Sequence, residues 1–113
     1  MDRRSRLTWR DGYQVRAGLR EPVKPAEVGL DDFAAVFYPG GHGPMEDLSV
    51  DADSGRLLVA ALDSGKPPAI VCHGPAALLA AVRADGANAF AGFRAAAFSH
   101  EEEAQSGFAE RAE

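Results

Sequence analysis

The residues best suited to chemistry in this chain are a single cysteine and the histidine that follows it. Cys72 and His73 stand between a short apolar run at 69–71, typical of a buried strand, and a helical pattern that opens at Pro75. A cysteine at such a bend points its sulfur past the end of the strand and toward the positive end of the helix, which stabilises the thiolate. An unperturbed cysteine is only roughly 3% thiolate at pH 7, and a lower pKa at the bend would raise that fraction. The bend therefore predicts that Cys72 is a nucleophile, with His73 as its proton acceptor or donor. The alternative is a small buried hydrophobe, the commoner role of a lone cysteine after an apolar run.

A glycine-rich turn upstream is the second feature with chemical potential. The apolar run 33–38 predicts a central strand that is covered on both faces, and it ends in Pro39-Gly40-Gly41-His42-Gly43-Pro44. Glycines let the backbone of such a turn approach another group closely, so its amides can form an oxyanion hole. We expect the backbone amide of His42 to act here and its ring to be solvated.

The segments between and after these motifs predict a βαβ unit with further elements behind it. Asp53 or Ser54 is expected to cap a helix that runs to Asp63 and stops at Gly65. Strand, helix and strand in this order form a right-handed crossover, which brings the glycine turn and Cys72 to the same edge of a parallel sheet. Beyond a second helix at 75–83, we expect a weak strand at 94–98 and a capping box from Ser99 to Glu102.

Two strings carry a resemblance to a known family. They are Phe37-Tyr38-Pro39-Gly40-Gly41-His42-Gly43-Pro44-Met45-Glu46-Asp47-Leu48 and Val71-Cys72-His73-Gly74-Pro75-Ala76-Ala77-Leu78-Leu79. Both are similar to the central motifs of the ThiJ/PfpI superfamily, relatives of class I glutamine amidotransferases, and within it to the glyoxalase III-like chaperones and deglycases. The resemblance implies an α/β fold, a partial flavodoxin-like doubly wound parallel sheet with a nucleophile-elbow cysteine. We expect one domain over residues 1–113, with 32–103 as the matching core.

The resemblance also implies roles for individual residues. Cys72 would be the nucleophile and His73 its proton shuttle, while the backbone of Gly40, Gly41 and His42 would bind the substrate oxygen. In these relatives an acidic residue beyond a phenylalanine-ending strand orients the histidine; alignment on Phe98 places it at Glu103, with Glu102 as the alternative. No cofactor is expected. No metal site is expected either, since no spacing among the three histidines and the cysteine supplies a ligand set.

The implied activity is cysteine-dependent chemistry on small 2-oxoaldehydes such as methylglyoxal, which would become lactate, or on their protein adducts. The alternatives are a non-catalytic relative with a chaperone-like or oxidant-sensing role, a peptidase- or amidotransferase-like hydrolase, and an inert truncated product. Relatives carry an earlier strand and helix with a glutamate that bonds the thiol; the context of Glu21 and Glu27 differs, and neither receives that role. We therefore expect a truncated member, whose open sheet edges favour a homodimer or docking with a complementary piece.

Composition limits the classes of partner. At 113 residues the chain is long enough for one modest core, and a net charge of −5 argues against nucleic acid or an anionic membrane surface. A single cysteine forbids an internal disulfide. With no apolar stretch of membrane-spanning length and no signal peptide, a cytoplasmic location is expected. Near the start, Arg3, Arg4, Arg6 and Arg10 predict a solvated basic end, and the alternation from Leu7 to Val15 predicts a β-hairpin.

Overall fold

Two short parallel strands lie among helical segments in the computed structural model, which describes residues 21–107. The elements are the 3-10 turn Pro25–Glu27, β1 (Val36–Tyr38), the π-helical turn Pro44–Leu48, α1 (Ala52–Asp63), β2 (Pro68–Ile70), the 3-10 helix Gly74–Ala80 and α2 (His100–Ser106). The predicted hairpin from Leu7 to Val15 and the arginines around its start lie outside the described residues. No helix within 21–107 is long and apolar enough to cross a membrane.

The βαβ unit forms where the sequence predicts it. β1 and β2 pair in parallel with Val36 opposite Pro68 and Tyr38 opposite Ile70, and α1 connects them. This pairing confirms the α/β class and brings the loops that follow both strands to one edge of the sheet. Over residues 21–107 the sheet has two strands, so the larger flavodoxin-like sheet stays a prediction.

The expected third strand at 94–98 is wrong. This segment is irregular, and its backbone joins the elbow through one hydrogen bond, from the Phe98 N–H to the Cys72 carbonyl oxygen at 3.0 Å. Three consecutive alanines at 95–97 have a poor strand propensity and provide little side-chain packing across a ladder. The segment nevertheless delivers α2 to the edge of the sheet where Cys72 lies.

Helix α1 begins at a cap other than the one predicted. Asp51 has an extended backbone, and its side chain accepts a hydrogen bond from the Ser54 N–H at 2.6 Å. Asp53 and Ser54 lie inside the first turn instead, so the prediction that one of them caps the helix is wrong. At the other end Gly65 has φ +70°, which confirms it as the stop.

The core lies between the strands, α1 and the 3-10 helix. It consists of Tyr38, Leu58, Ala77 and Ala81, and the Tyr38 hydroxyl is 2.7 Å from the Ser54 hydroxyl. Coverage of the first strand on both faces was expected, but the Phe37 side chain is 63% exposed. The prediction that both faces of β1 are covered is therefore wrong for the described residues. The helical segments pack on the face that carries Tyr38 and leave the face of Phe37 open.

The helix after the cysteine is 3-10 rather than α, and it ends at Ala80 rather than at 83. Its last residue packs so closely on α1 that a side-chain carbon added at Gly55 would overlap the Ala80 carbonyl group. Its first residue follows the turn at Cys72 directly. A seven-residue segment held at both ends in this way has little freedom to relax into the wider α geometry.

Candidate active site

The backbone at Cys72 forms a sharp elbow between β2 and the 3-10 helix. Cys72 has φ +58°, the one positive φ outside glycine in residues 21–107, and the Gly74 N–H donates to the Val71 carbonyl at 2.8 Å across the turn. A left-handed conformation costs a non-glycine residue about 1–2 kcal/mol. Cys72 is exposed and its thiol is free, so the interpretation as a buried hydrophobe is wrong.

His73 links the thiol to a buried carboxylate. Its Nδ1 lies 3.5 Å from the Cys72 sulfur, and its Nε2 is in direct contact with Oε1 of Glu103. His73 is 6% exposed and Glu103 is 3% exposed. A carboxylate at Nε2 favours the tautomer with the proton on that nitrogen, which leaves the Nδ1 lone pair facing the thiol.

The structure distinguishes the two candidate acids geometrically. The Glu102 carboxylate accepts hydrogen bonds from the Ser99 N–H at 2.8 Å and from the Ser99 hydroxyl at 2.9 Å. These contacts, with the Glu102 N–H donating to the Ser99 oxygen, form the predicted capping box and confirm it. With Glu102 engaged at the helix start, the next residue, Glu103, projects inward to His73.

The electrostatic environment keeps Glu103 ionised. Burial of its carboxyl group opposes ionisation, but the hydrogen bond with His42 and attraction by the charge of a protonated His73 outweigh that effect, so the pKa of Glu103 lies below its usual value. The Ser106 hydroxyl donates to Oε2 at 3.2 Å and acts in the same direction. Within residues 21–107 no lysine or arginine pairs with this carboxylate.

The ring of His42 belongs to the site, contrary to the expectation that it is solvated. Its Nε2 is 3.2 Å from Oε2 of Glu103, and its ring lies 4.3 Å from that of His73 between centroids. The expectation failed because His42 and Glu103 are 61 positions apart, and no local pattern predicts a contact at that distance along the chain. The fold brings them together through the shared strand edge.

The glycine turn lies directly against the elbow, as the sequence predicts. Gly40 has φ +92° and Gly41 has φ +81°. A side-chain carbon on Gly40 would come within 2.7 Å of both Cys72 Cβ and the Val71 carbonyl oxygen, so this position has no room for a larger residue. The proposed use of the Gly41 and His42 amides as an oxyanion hole stays a prediction.

A cavity of about 380 Å³ opens beside the thiol. Besides Cys72, His73 and Glu103, its lining includes Met45, Leu79, Phe98 and His100. Sequence reasoning missed these four as site residues, since each fits an ordinary helical or strand position. Phe98 also contacts the His73 ring at 4.5 Å between centroids.

One set of side chains here could hold a metal ion. His42, His73 and Glu103 each offer a ligand atom, and these atoms lie within 4.8 Å of one another. The expectation of no metal site rested on the spacing of histidines and cysteine alone and left Glu103 out.

Together these features define a class: an α/β protein with a free cysteine at a strand–turn–helix elbow, backed by a histidine and a buried carboxylate. No family model matches the chain. It is similar to the protein/nucleic acid deglycase HchA of Staphylococcus aureus strains JH9, Newman and N315. In each case 39% of residues are identical over 74 aligned residues, which cover 60% of this chain and 25% of the relative. The chain thus spans about a quarter of the length of these curated relatives, and the partial match supports kinship with ThiJ/PfpI-type deglycases.

Proposed function

We propose that this chain uses Cys72 to convert small 2-oxoaldehydes such as methylglyoxal to hydroxy acids such as lactate, or to remove them from protein adducts. The observation that supports this most is the placement of His73, with one ring nitrogen 3.5 Å from the sulfur and the other against the Glu103 carboxylate. Such an arrangement gives the thiol a base and gives that base an orienting anion. The partial similarity to the Staphylococcus aureus deglycases supports the same chemistry.

The reaction balances with water as the only other reactant. The sulfur adds to the aldehyde carbon, and the thiol proton passes through His73 Nδ1 to the carbonyl oxygen, which yields a hemithioacetal. His73 then moves the proton on that carbon to the neighbouring carbonyl carbon through an enediol, which leaves a thioester. Water cleaves the carbon–sulfur bond and releases the hydroxy acid and the thiol. Amides of Gly41 and His42 would stabilise the oxygen on which negative charge develops.

For an adduct, the first step differs in its leaving group. The Cys72 sulfur would replace the protein nitrogen or sulfur on the same carbon, and the released group would leave with the proton that His73 returns. The exposed thiol and the open cavity beside it suit a substrate that is attached to a larger molecule.

The test measures methylglyoxal loss and lactate formation by wild type and three variants that circular dichroism shows to be folded. Cys72→Ser is expected to fall to the background rate, because a hydroxyl is a much weaker acid and a much weaker nucleophile than the thiol it replaces. Glu103→Gln is expected to lower kcat by on the order of 10²–10⁴-fold, as it removes the anion that orients the base. Glu101→Gln, which removes an exposed carboxylate from the same helical turn, is the matched control and should leave kcat unchanged.

The outcomes separate the candidate activities. If the rate of adduct loss rises with the adduct concentration while the free aldehyde concentration is held constant, the protein removes adducts directly. If the rate depends only on the free aldehyde concentration, the protein converts the aldehyde itself. Equal rates in wild type and Cys72→Ser would refute the catalytic proposal.

A second candidate function is a non-catalytic, chaperone-like role. Several large apolar residues in the described part of the chain are strongly exposed, among them Phe37 at 63%, Leu79 at 67% and Phe93 at 60%. Exposed apolar groups of this kind can bind unfolded chains. Suppression of client aggregation that is equal in wild type and Cys72→Ser, with no aldehyde turnover, would favour this role over catalysis.

A further inference from the structure

Among residues 21–107, the buried carboxylate of Glu103 has no lysine or arginine partner. It is 3% exposed, and in the described part of the chain its charged neighbours are histidines, which carry a charge only when protonated. A buried anion is costly unless a cation or several donors compensate it. Hydrogen bonds with His42 and Ser106 and the contact with His73 compensate this anion in part, and a divalent cation could supply the fixed positive charge that these groups lack.

The atoms around this carboxylate match the preferences of a transition-metal ion. Imidazole nitrogens and a carboxylate oxygen are common zinc ligands, and two histidines with one glutamate form a known catalytic zinc set. Tetrahedral zinc with bonds of about 2.0–2.1 Å holds its ligand atoms about 3.3 Å apart. His42 Nε2 and Glu103 Oε2 are already 3.2 Å apart, and all three ligand atoms lie within 4.8 Å. His73 Nε2 and Glu103 Oε1 are in direct contact, so binding requires side-chain movements that separate these two atoms and admit the ion between them.

We propose that His42, His73 and Glu103 form a site for a divalent transition-metal ion such as Zn²⁺, and that occupancy of this site blocks the chemistry of Cys72. His42 is 41% exposed and provides a path for the ion, while the cavity beside His73 leaves room for water as the remaining ligand.

The block follows from the two nitrogens of His73. An ion at Nε2 places the single proton of the neutral ring on Nδ1, the nitrogen that faces the Cys72 sulfur at 3.5 Å. The ring then donates to the sulfur and can no longer accept its proton. The sulfur itself lies on the Nδ1 side of the ring, away from the ion, and so is not a ligand.

Binding is tested directly with Co²⁺ and Zn²⁺ on the full chain. Titration of the metal-free protein with Co²⁺ should give one ion per chain, with visible d–d absorption of four-coordinate intensity and no sulfur-to-cobalt charge-transfer band. Zn²⁺ should displace Co²⁺ and abolish the absorption. His42→Ala should weaken binding by on the order of tenfold or more, since it removes one of three protein ligands.

Two control variants define the ligand set. His100→Ala removes the other histidine at the cavity, and Cys72→Ser removes the thiol; both should bind Co²⁺ like wild type. If His42→Ala does not fold, Glu103→Gln, which keeps the side-chain shape, tests the same ligand set. Absence of stoichiometric binding, unchanged affinity in Glu103→Gln, or a charge-transfer band lost in Cys72→Ser would each overturn the proposal.

The inhibitory part has its own readout. Zn²⁺ should abolish aldehyde turnover at the concentration that saturates the site, and a chelator should restore it. Turnover that persists with the site saturated would refute the block. Because the spectroscopic titration needs no substrate, a chain without aldehyde turnover would refute the proposed function and leave the metal site to be judged by binding alone.

Discussion

Alanine at Gly40 tests whether the glycine turn and the elbow are packed as tightly as the structure shows. At this position φ is +92°, and a side-chain carbon would lie 2.7 Å from Cys72 Cβ and from the Val71 carbonyl oxygen. Gly41 is a matched control within the same turn. It also has a positive φ, +81°, but nothing lies within 4 Å of an added carbon.

The two substitutions differ in one physical component. Each forces alanine into a left-handed conformation, which costs about 1–2 kcal/mol. Gly40→Ala also inserts a carbon into occupied space, and overpacking typically costs about 1–3 kcal/mol more. We therefore expect Gly40→Ala to lower the free energy of unfolding by about 2–5 kcal/mol and Gly41→Ala by about 1–2 kcal/mol.

Urea unfolding of the two variants measures these losses, and alkylation of the single thiol reports on the elbow itself. Gly40→Ala should change the alkylation rate, because relief of the overlap displaces Cys72, whereas Gly41→Ala should leave it at the wild-type value. Equal losses of stability together with equal alkylation rates in both variants would show that the two turns are not in contact, and the assembly of the site would be refuted.

Two further predictions concern the scaffold. Tyr38→Phe leaves the buried Ser54 hydroxyl without its partner at 2.7 Å and should lower the free energy of unfolding, measured in urea, by about 1–2 kcal/mol. Adding Ser54→Ala should recover part of this loss, because it removes the unpaired hydroxyl. An unchanged free energy of unfolding in Tyr38→Phe would contradict the prediction. The hydrogen bonds from Arg83 lower the pKa of Asp63 in the folded protein. This exposed pair therefore adds a little stability at pH values above the pKa that Asp63 has in the unfolded chain. That stability is lost as the pH falls through the lower pKa of the folded protein. In Arg83→Gln the Asp63 carboxyl should titrate closer to its ordinary value by NMR, and an unchanged titration would show that the pair does not persist in solution.

Local patterns predicted the elements that depend on neighbouring residues. The capping box at Ser99 and the stop at Gly65 follow from side-chain or backbone chemistry within one turn, and both are confirmed. The strand ending at Tyr38 was recognised from its apolar run, although it begins at Val36 rather than at 33. The juxtaposition of the glycine turn with Cys72 followed from the rule that parallel strands share an edge.

Features that depend on distant contacts were missed or wrong. The 3-10 form of the helix after the cysteine depends on packing against Gly55, and the solvated ring assigned to His42 overlooked a partner 61 positions away. The strand at 94–98 failed because its alanines offer little to a ladder. In each case tertiary packing determined a conformation that local propensity left open.

The elbow and the carboxylate depend on one another. The Cys72 carbonyl accepts the Phe98 N–H at 3.0 Å, which anchors the segment that leads into α2, and α2 in turn sets Glu103 against His73. The ring of Phe98 contacts the same imidazole at 4.5 Å. A fold built for stability alone would have glycine at position 72, because φ +58° costs a cysteine about 1–2 kcal/mol there and glycine almost nothing. The strained residue is also the one that carries the thiol and faces the histidine, and the strain therefore points to a chemical role for that side chain.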